Sequence, residues 1–137
     1  MRTILVGYDL TDPSKRALER AAALAGVFDA RLIVTSVVPG RRREIRDAIA
    51  VDPADRSEPR SDELAHARAY LDAQGVKAGY VRATGEAARM ITEVADVHDA
   101  DLIVLGTRDL GFFERVLRGS VSDGVVHRAH CDVLIVH

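Results

Sequence analysis

The sequence predicts an α/β fold: a doubly wound, five-stranded parallel sheet in the order 3-2-1-4-5, with helices on both faces. Three observations predict it. Short runs are apolar at successive rather than alternate positions, as strands buried on both faces are. Segments with apolar residues at helical spacing lie between those runs. The alternation of the two implies right-handed crossovers and therefore parallel strands.

Ile4-Leu5-Val6 and Leu32-Ile33-Val34 are the first two runs. Leu102-Ile103-Val104-Leu105 and Val133-Leu134-Ile135-Val136 are the later ones, and the weaker stretch from Val76 to Val81 suits a half-exposed edge strand. After Asp12, the predicted N-cap, Pro13 takes the first helical position, where its missing N–H costs nothing. Ala17, Leu18, Ala21, Ala22, Leu24 and Ala25 then recur at helical spacing, with Gly26 as the predicted stop. Residues 61–73 carry Leu64, Ala67 and Leu71 on one stripe, with Gly75 behind them. Residues 86–98 carry Ala87, Met90, Ile91, Val94 and Ala95, and a last helix is predicted over 120–129.

There is no internal repeat and no domain boundary, so residues 1–137 read as one domain. Pro39 through Arg60, with Arg41-Arg42-Arg43, Pro53 and Pro59, reads as a long surface connection with a short helix at 43–50. A connection that long in a compact domain usually marks function or mobility.

A hydrophobic fraction of 47% with 29% charged residues is that of a soluble globular domain. The net charge of −2 argues against a protein that grips nucleic-acid phosphates. No apolar run approaches the ~20 residues a membrane helix needs. The single Cys131 leaves no disulfide framework and suits a reducing compartment. Met1-Arg2-Thr3 runs straight into the first strand without a leader pattern, so a cytoplasmic location is expected.

In doubly wound sheets a ligand sits outside the carboxyl ends of the strands, where the strand order reverses. The predicted order puts that point between strands one and four. Gly7-Tyr8-Asp9 and Leu105-Gly106-Thr107-Arg108 emerge there. The second segment leads to Gly119-Ser120-Val121-Ser122 at the start of the last helix, a predicted anion seat because helix N-termini carry unpaired N–H groups.

The segment GTRDLGFFERVLRGSVS, Gly106 through Ser122, resembles the nucleotide loop of the universal stress proteins. That family's pattern is Gly, two residues, Gly, nine residues, Gly, then Ser or Thr. Gly106, Gly119 and Ser120 match it. The opening Ile4-Leu5-Val6-Gly7-Tyr8-Asp9, the stretch Ala100 to Gly106 and the closing Cys131 to Val136 are similar to the family as well. The resemblance implies that Asp9 and Val37 face an adenine. It further implies that Gly106, Gly119, Ser120, Val121 and Ser122 hold ribose and phosphates. The ligand so implied is ATP or another adenine nucleotide, with or without Mg²⁺. Family resemblance also implies a homodimer paired through the last strand, and an unidentified protein partner.

One position departs from the pattern. The family's second glycine is Asp109 here. Aspartate tolerates left-handed backbone, so the loop shape can survive. Its charge is the larger obstacle: at about 5 Å and an effective dielectric near 20, a carboxylate repels each phosphate charge by roughly 3 kcal/mol before screening. Arg108, Arg115 and Arg118 are the cations available to offset it, and Gly111 can supply flexibility.

Other constellations read as structure. Arg41-Arg42-Arg43 suits a solvated basic turn better than a phosphate lid. His127, His130 and Cys131 lie at the amino end of the sheet, away from the switch point, and Cys131 suits a small core hydrophobe. Ser120-Val121-Ser122-Asp123-Gly124 is a near miss to a nucleophile elbow, with no base placed to serve it. The expectation is a nucleotide-binding stress module without efficient catalysis. The alternatives are an interaction module that has lost its ligand and a weak nucleotide hydrolase.

Overall fold

The computed structural model describes residues 1–38, 62–107 and 120–137, with the side chain of Ser120 excepted. The connection from Pro39 to Arg60, and the loop positions Arg108, Asp109, Gly111, Arg115, Arg118 and Gly119, lie outside the described residues.

Strand β1 spans Thr3–Gly7, β2 Arg31–Val38, β3 Ala78–Thr84, β4 Leu102–Gly106 and β5 Asp132–Val136. The helices are α1 (Asp12–Phe28), α2 (Asp62–Ala73), α3 (Ala87–Val97) and α4 (Ser120–Arg128). The five strands are ordered β3-β2-β1-β4-β5, and every neighbouring pair is parallel. The order and the class are those the sequence predicts. In register, Leu5 stands between Ile33 of β2 and Ile103 of β4.

Successive side chains along a strand point to opposite faces, so a continuous apolar run feeds two cores. Ile4 and Val6 join Leu18, Leu64 and Leu71 beneath α1 and α2. Leu5 joins Ile33, Met90, Val94 and Val125 beneath α3 and α4. The three β1 residues are all fully buried. Among the described residues no helix is long and apolar enough to cross a membrane.

Two helix boundaries differ from the sequence expectation. The N-cap of α1 is Thr11, whose side chain accepts from Ser14 N, and Asp12 is already helical. A threonine hydroxyl also serves this role, though it ranks somewhat below aspartate, and Pro13 then falls within the first turn. Nor does Gly26 stop the helix. The chain continues to Phe28 and turns at Asp29, whose left-handed backbone (φ 52°) carries the cap N–H back to Ala25 O. The β3 strand also starts and ends later than Val76–Val81, and it does form the sheet edge.

Candidate functional site: the cleft between β1 and β4

The crossover from β1 runs one way to β2 and the crossover from β4 runs the other way to β5. A crevice therefore opens between the carboxyl ends of β1 and β4. A cleft of about 110 Å³ occupies it. Gly7, Leu105 and Gly106 form its base, Thr35 and Val37 of β2 one side, and Val121 and Ser122 from the first turn of α4 another.

The base is set by two close approaches. A Cβ at Gly106 would lie 2.3 Å from Pro13 C and 2.7 Å from Ser14 N, so the end of β4 sits against the first turn of α1. The physical requirement for glycine at 106 is the seating of α1. A Cβ at Gly7 would lie 2.8 Å from Leu105 Cδ2, which is a flexible neighbour and a milder constraint.

Between β1 and α1 the chain closes a polar knot. Asp9 Oδ1 accepts from Thr11 N at 3.1 Å and from Thr11 Oγ1. Thr11 Oγ1 accepts from Ser14 N at 3.3 Å, and Ser14 Oγ donates to Thr11 O at 2.9 Å while accepting from Asp9 N at 3.2 Å. Leu10, at the middle of the turn, is held at φ 68°. Small hydroxyl side chains suit such a turn because they substitute for backbone partners at a helix start.

Tyr8 belongs both to the cleft and to the core beneath α1 and α2, being 3% exposed. Burial, and then the neighbouring Asp9 carboxylate, push its phenol above the ordinary tyrosine range. Its hydroxyl lies against His66 of α2.

The structure brings Gly7, Tyr8, Asp9, Leu105, Gly106, Val121 and Ser122, from strand and helix ends, together around one cleft, and Val37, named from the family resemblance, lines it as well. Ser120 opens α4, whereas Asp109 and Gly119 lie outside the described residues. Sequence reasoning missed Thr11, Ser14, Thr35, Ala87 and Ile91, which also line the cleft. A signal existed for the last two. Parallel crossovers bring every following helix to the carboxyl edge of the sheet, so the start of α3 had to arrive there too.

The amino-end residues do something else. His127 Nδ1 is 2.7 Å from Asp123 O on its own helix, and His130 Nδ1 is 3.1 Å from Asp96 Oδ1. Cys131 is half-buried, its thiol pushed up chiefly by burial and further by the carboxylates of Asp96, Asp132 and Asp101. Among the described residues no group of three His, Cys, Asp or Glu side chains is gathered to hold a metal ion.

The family model described as "Universal stress protein family" matches residues 1–137. The chain belongs to this family. This universal stress protein is 36% identical over 141 residues to Universal stress protein Rv1636 of Mycobacterium tuberculosis, covering 99% of this chain and 96% of that one. It is 32% identical over 139 residues to Universal stress protein Sll1654 of Synechocystis, covering 98% and 85%. Among solved structures, a universal stress protein in complex with cAMP aligns with a TM-score of 0.74 at 29% identity, over 99% of this chain and 97% of that one. The universal stress protein from Archaeoglobus fulgidus in complex with dAMP shares the fold, with a TM-score of 0.71 at 23% identity over 100% and 98% of the two chains.

Proposed function

We propose that this universal stress protein binds an adenine nucleotide in the β1–β4 cleft and holds it without efficient turnover. The ligand is ATP or a smaller relative such as AMP or a cyclic nucleotide.

The observation that carries this reading is the direction of the Val37 peptide. Tyr8 N donates to Thr35 O at 2.9 Å on the β1 side of β2, and Gly85 N donates to Val38 O at 2.8 Å on the β3 side. Residues along a strand alternate in the side to which they offer their N–H and C=O. Val37 therefore offers both to the β1 side, where its register lies beyond the last β1 pair, Gly7 with Thr35. One donor and one acceptor side by side complement an adenine edge, which has an amino donor beside a ring-nitrogen acceptor. Sugar and phosphates then run toward Gly106 and the N–H groups at the start of α4. The cleft encloses only part of such a ligand, being smaller than the ~300–1,000 Å³ of a typical pocket. The relative solved with cAMP supports an adenine ligand.

The absence of efficient catalysis is part of the reading. Among the described cleft residues the ionisable side chains are Tyr8 and Asp9. Tyr8 meets His66, and Asp9 Oδ1 accepts twice from Thr11. Those contacts tie the turn before α1 and the packing of α2, which supports a binding role over a catalytic one. Magnesium, where present, would arrive with the phosphates, since Asp9 is the one carboxylate among the described cleft residues.

The same reading makes the protein a cytoplasmic homodimer joined through β5, with a further protein partner of unidentified nature. The β5 strand ends the sheet, and Val133, Leu134 and Ile135 are all only partly buried. Apolar edge strands need a cover.

Calorimetry with AMP, cAMP and ATP, each with and without Mg²⁺, tests the assignment. Binding of at least one, weakened by about 1–3 kcal/mol in Ser122→Ala through loss of a charge-assisted hydrogen bond, is the expected result. If none binds and none is found by mass spectrometry in the purified protein, the ligand-free interaction module suggested by Asp109 takes its place. Steady phosphate release from ATP would instead favour the hydrolase.

A further inference from the structure

Gly124 lies inside α4, where glycine is the poorest choice after proline. A Cβ built on it would lie 2.6 Å from Ala88 Cβ of α3, closer than real carbon atoms approach. Ala88 Cβ is fixed to its own helix backbone, so the clash can be relieved only by moving one helix. Ala88 is buried, as is Val125 beside Gly124. Glu86, the N-cap of α3, adds a second tie. Its carboxylate accepts from Ala88 N at 3.2 Å and Arg89 N at 3.1 Å, and it lies 3.5 Å from Arg128 Nη1 at the far end of α4.

Both partners in this contact also build the cleft. Ala87 and Ile91 reach it from α3, one position before Ala88 and one turn after it. Val121 and Ser122 reach it from α4, within one turn of Gly124. The separation of α3 and α4 is thus the separation of two cleft walls.

We infer that Gly124 is a positioning residue: its notch against Ala88 sets the width of the cleft and the placement of the Val121 and Ser122 amides. This rests on the nucleotide reading for its functional meaning, and the geometric part can be read without a ligand.

The test is a pair of substitutions, Gly124→Ala and Ala88→Gly, alone and together, with AMP as probe. Gly124→Ala should weaken AMP binding on the order of tenfold or more, as a misplacement of about 1 Å can. Adding Ala88→Gly should restore it, because the methyl group has only changed helices. In nucleotide-free protein, the amide resonances of Val121, Ser122 and Ile91 should move in Gly124→Ala and return in the double variant.

Unchanged AMP affinity in Gly124→Ala, or no recovery in the double variant, overturns the inference. Resonances of Val121, Ser122 and Ile91 that stay unmoved in Gly124→Ala overturn it too. If Gly124→Ala alone does not fold, the double variant decides, since it must fold and bind. If the wild type binds no AMP, the nucleotide reading is what fails for that ligand, and the ligand-free resonances still judge the notch.

Discussion

The Tyr8 hydroxyl lies 2.6 Å from Nδ1 of His66, and the two rings stack with centroids 5.8 Å apart and an interplanar angle of 13°. The pair joins the exit of the central strand to α2. It thereby links the cleft to the helix that follows the long connection after β2. Because Tyr8 is buried while His66 is exposed, the contact reaches from the core to solvent.

Removing the hydroxyl should loosen that link. Tyr8→Phe is expected to lower stability by about 0.5–1.5 kcal/mol, the net worth of one hydrogen bond. His66→Ala should do similar damage, and the double variant less than the sum of the two. Urea unfolding of all four proteins measures the coupling, and strict additivity would mean the two groups do not interact.

Two glycines should respond to alanine with opposite signs. Gly26 is exposed within α1, and a Cβ there meets nothing within 4 Å. Gly26→Ala should stabilise the protein by about 0.5–1 kcal/mol through helix propensity. Gly106→Ala should destabilise it by about 1–3 kcal/mol or more, because the added methyl meets the Pro13 backbone. The loss should appear without any nucleotide present. A Gly106→Ala protein as stable as wild type, impaired only in binding, would return that glycine to a purely ligand-facing role.

Tyr80 gives a pH dependence. Its hydroxyl is buried without a hydrogen-bond partner among the described residues, and burial, with the Asp72 carboxylate adding to it, pushes the phenol up to about 12. A raised folded value means the unfolded chain loses its proton first. The contribution is therefore complete below the ordinary value of 10.0 and is lost as pH rises from there through about 12. Tyr80→Phe should be neutral or slightly stabilising at neutral pH, since an unsatisfied group is removed. It should also flatten the alkaline limb of a Tm-against-pH curve, which differential scanning fluorimetry can follow.

Association through β5 has its own measurement. Sedimentation at micromolar concentration should give a dimer, and a charge placed on the outer strand, as in Ile135→Lys, should shift it to monomer. A wild-type monomer, or a dimer indifferent to that substitution, would move the interface elsewhere or remove it.

Much of the architecture was legible because β1, β2 and β4 are buried on both faces and so carry unbroken apolar runs. β3 was harder to bound. As an edge strand its residues alternate in burial, with Arg82 exposed among them, and periodicity blurs. The caps of α1 were misread because Thr11 and Asp12 are both good capping residues, and hydrogen bonding alone chooses between them. In the cleft, the residues after β1 and β4 and at the start of α4 followed from topology, and Val37 from the family resemblance. Thr11 and Ser14 did not, because their place there depends on the knot they make with Asp9. Gly106 was legible as a required glycine, but what requires it is the backbone of α1, some ninety residues earlier, which no local pattern reports.

The placement of β1 at the middle of the sheet has a consequence for how the chain is made. Ile4 pairs with Arg31's neighbour Leu32 on one edge and with Leu102 on the other. During synthesis the β1–β2–β3 half can assemble early, while the second edge of β1 waits until Leu102–Gly106 emerges. An open, wholly apolar edge is a template for pairing with another chain, and long-range parallel pairing is slow. A nascent or truncated chain lacking β4 is thus the aggregation-prone species, and the ribosome-bound intermediate is where chaperone protection would matter most.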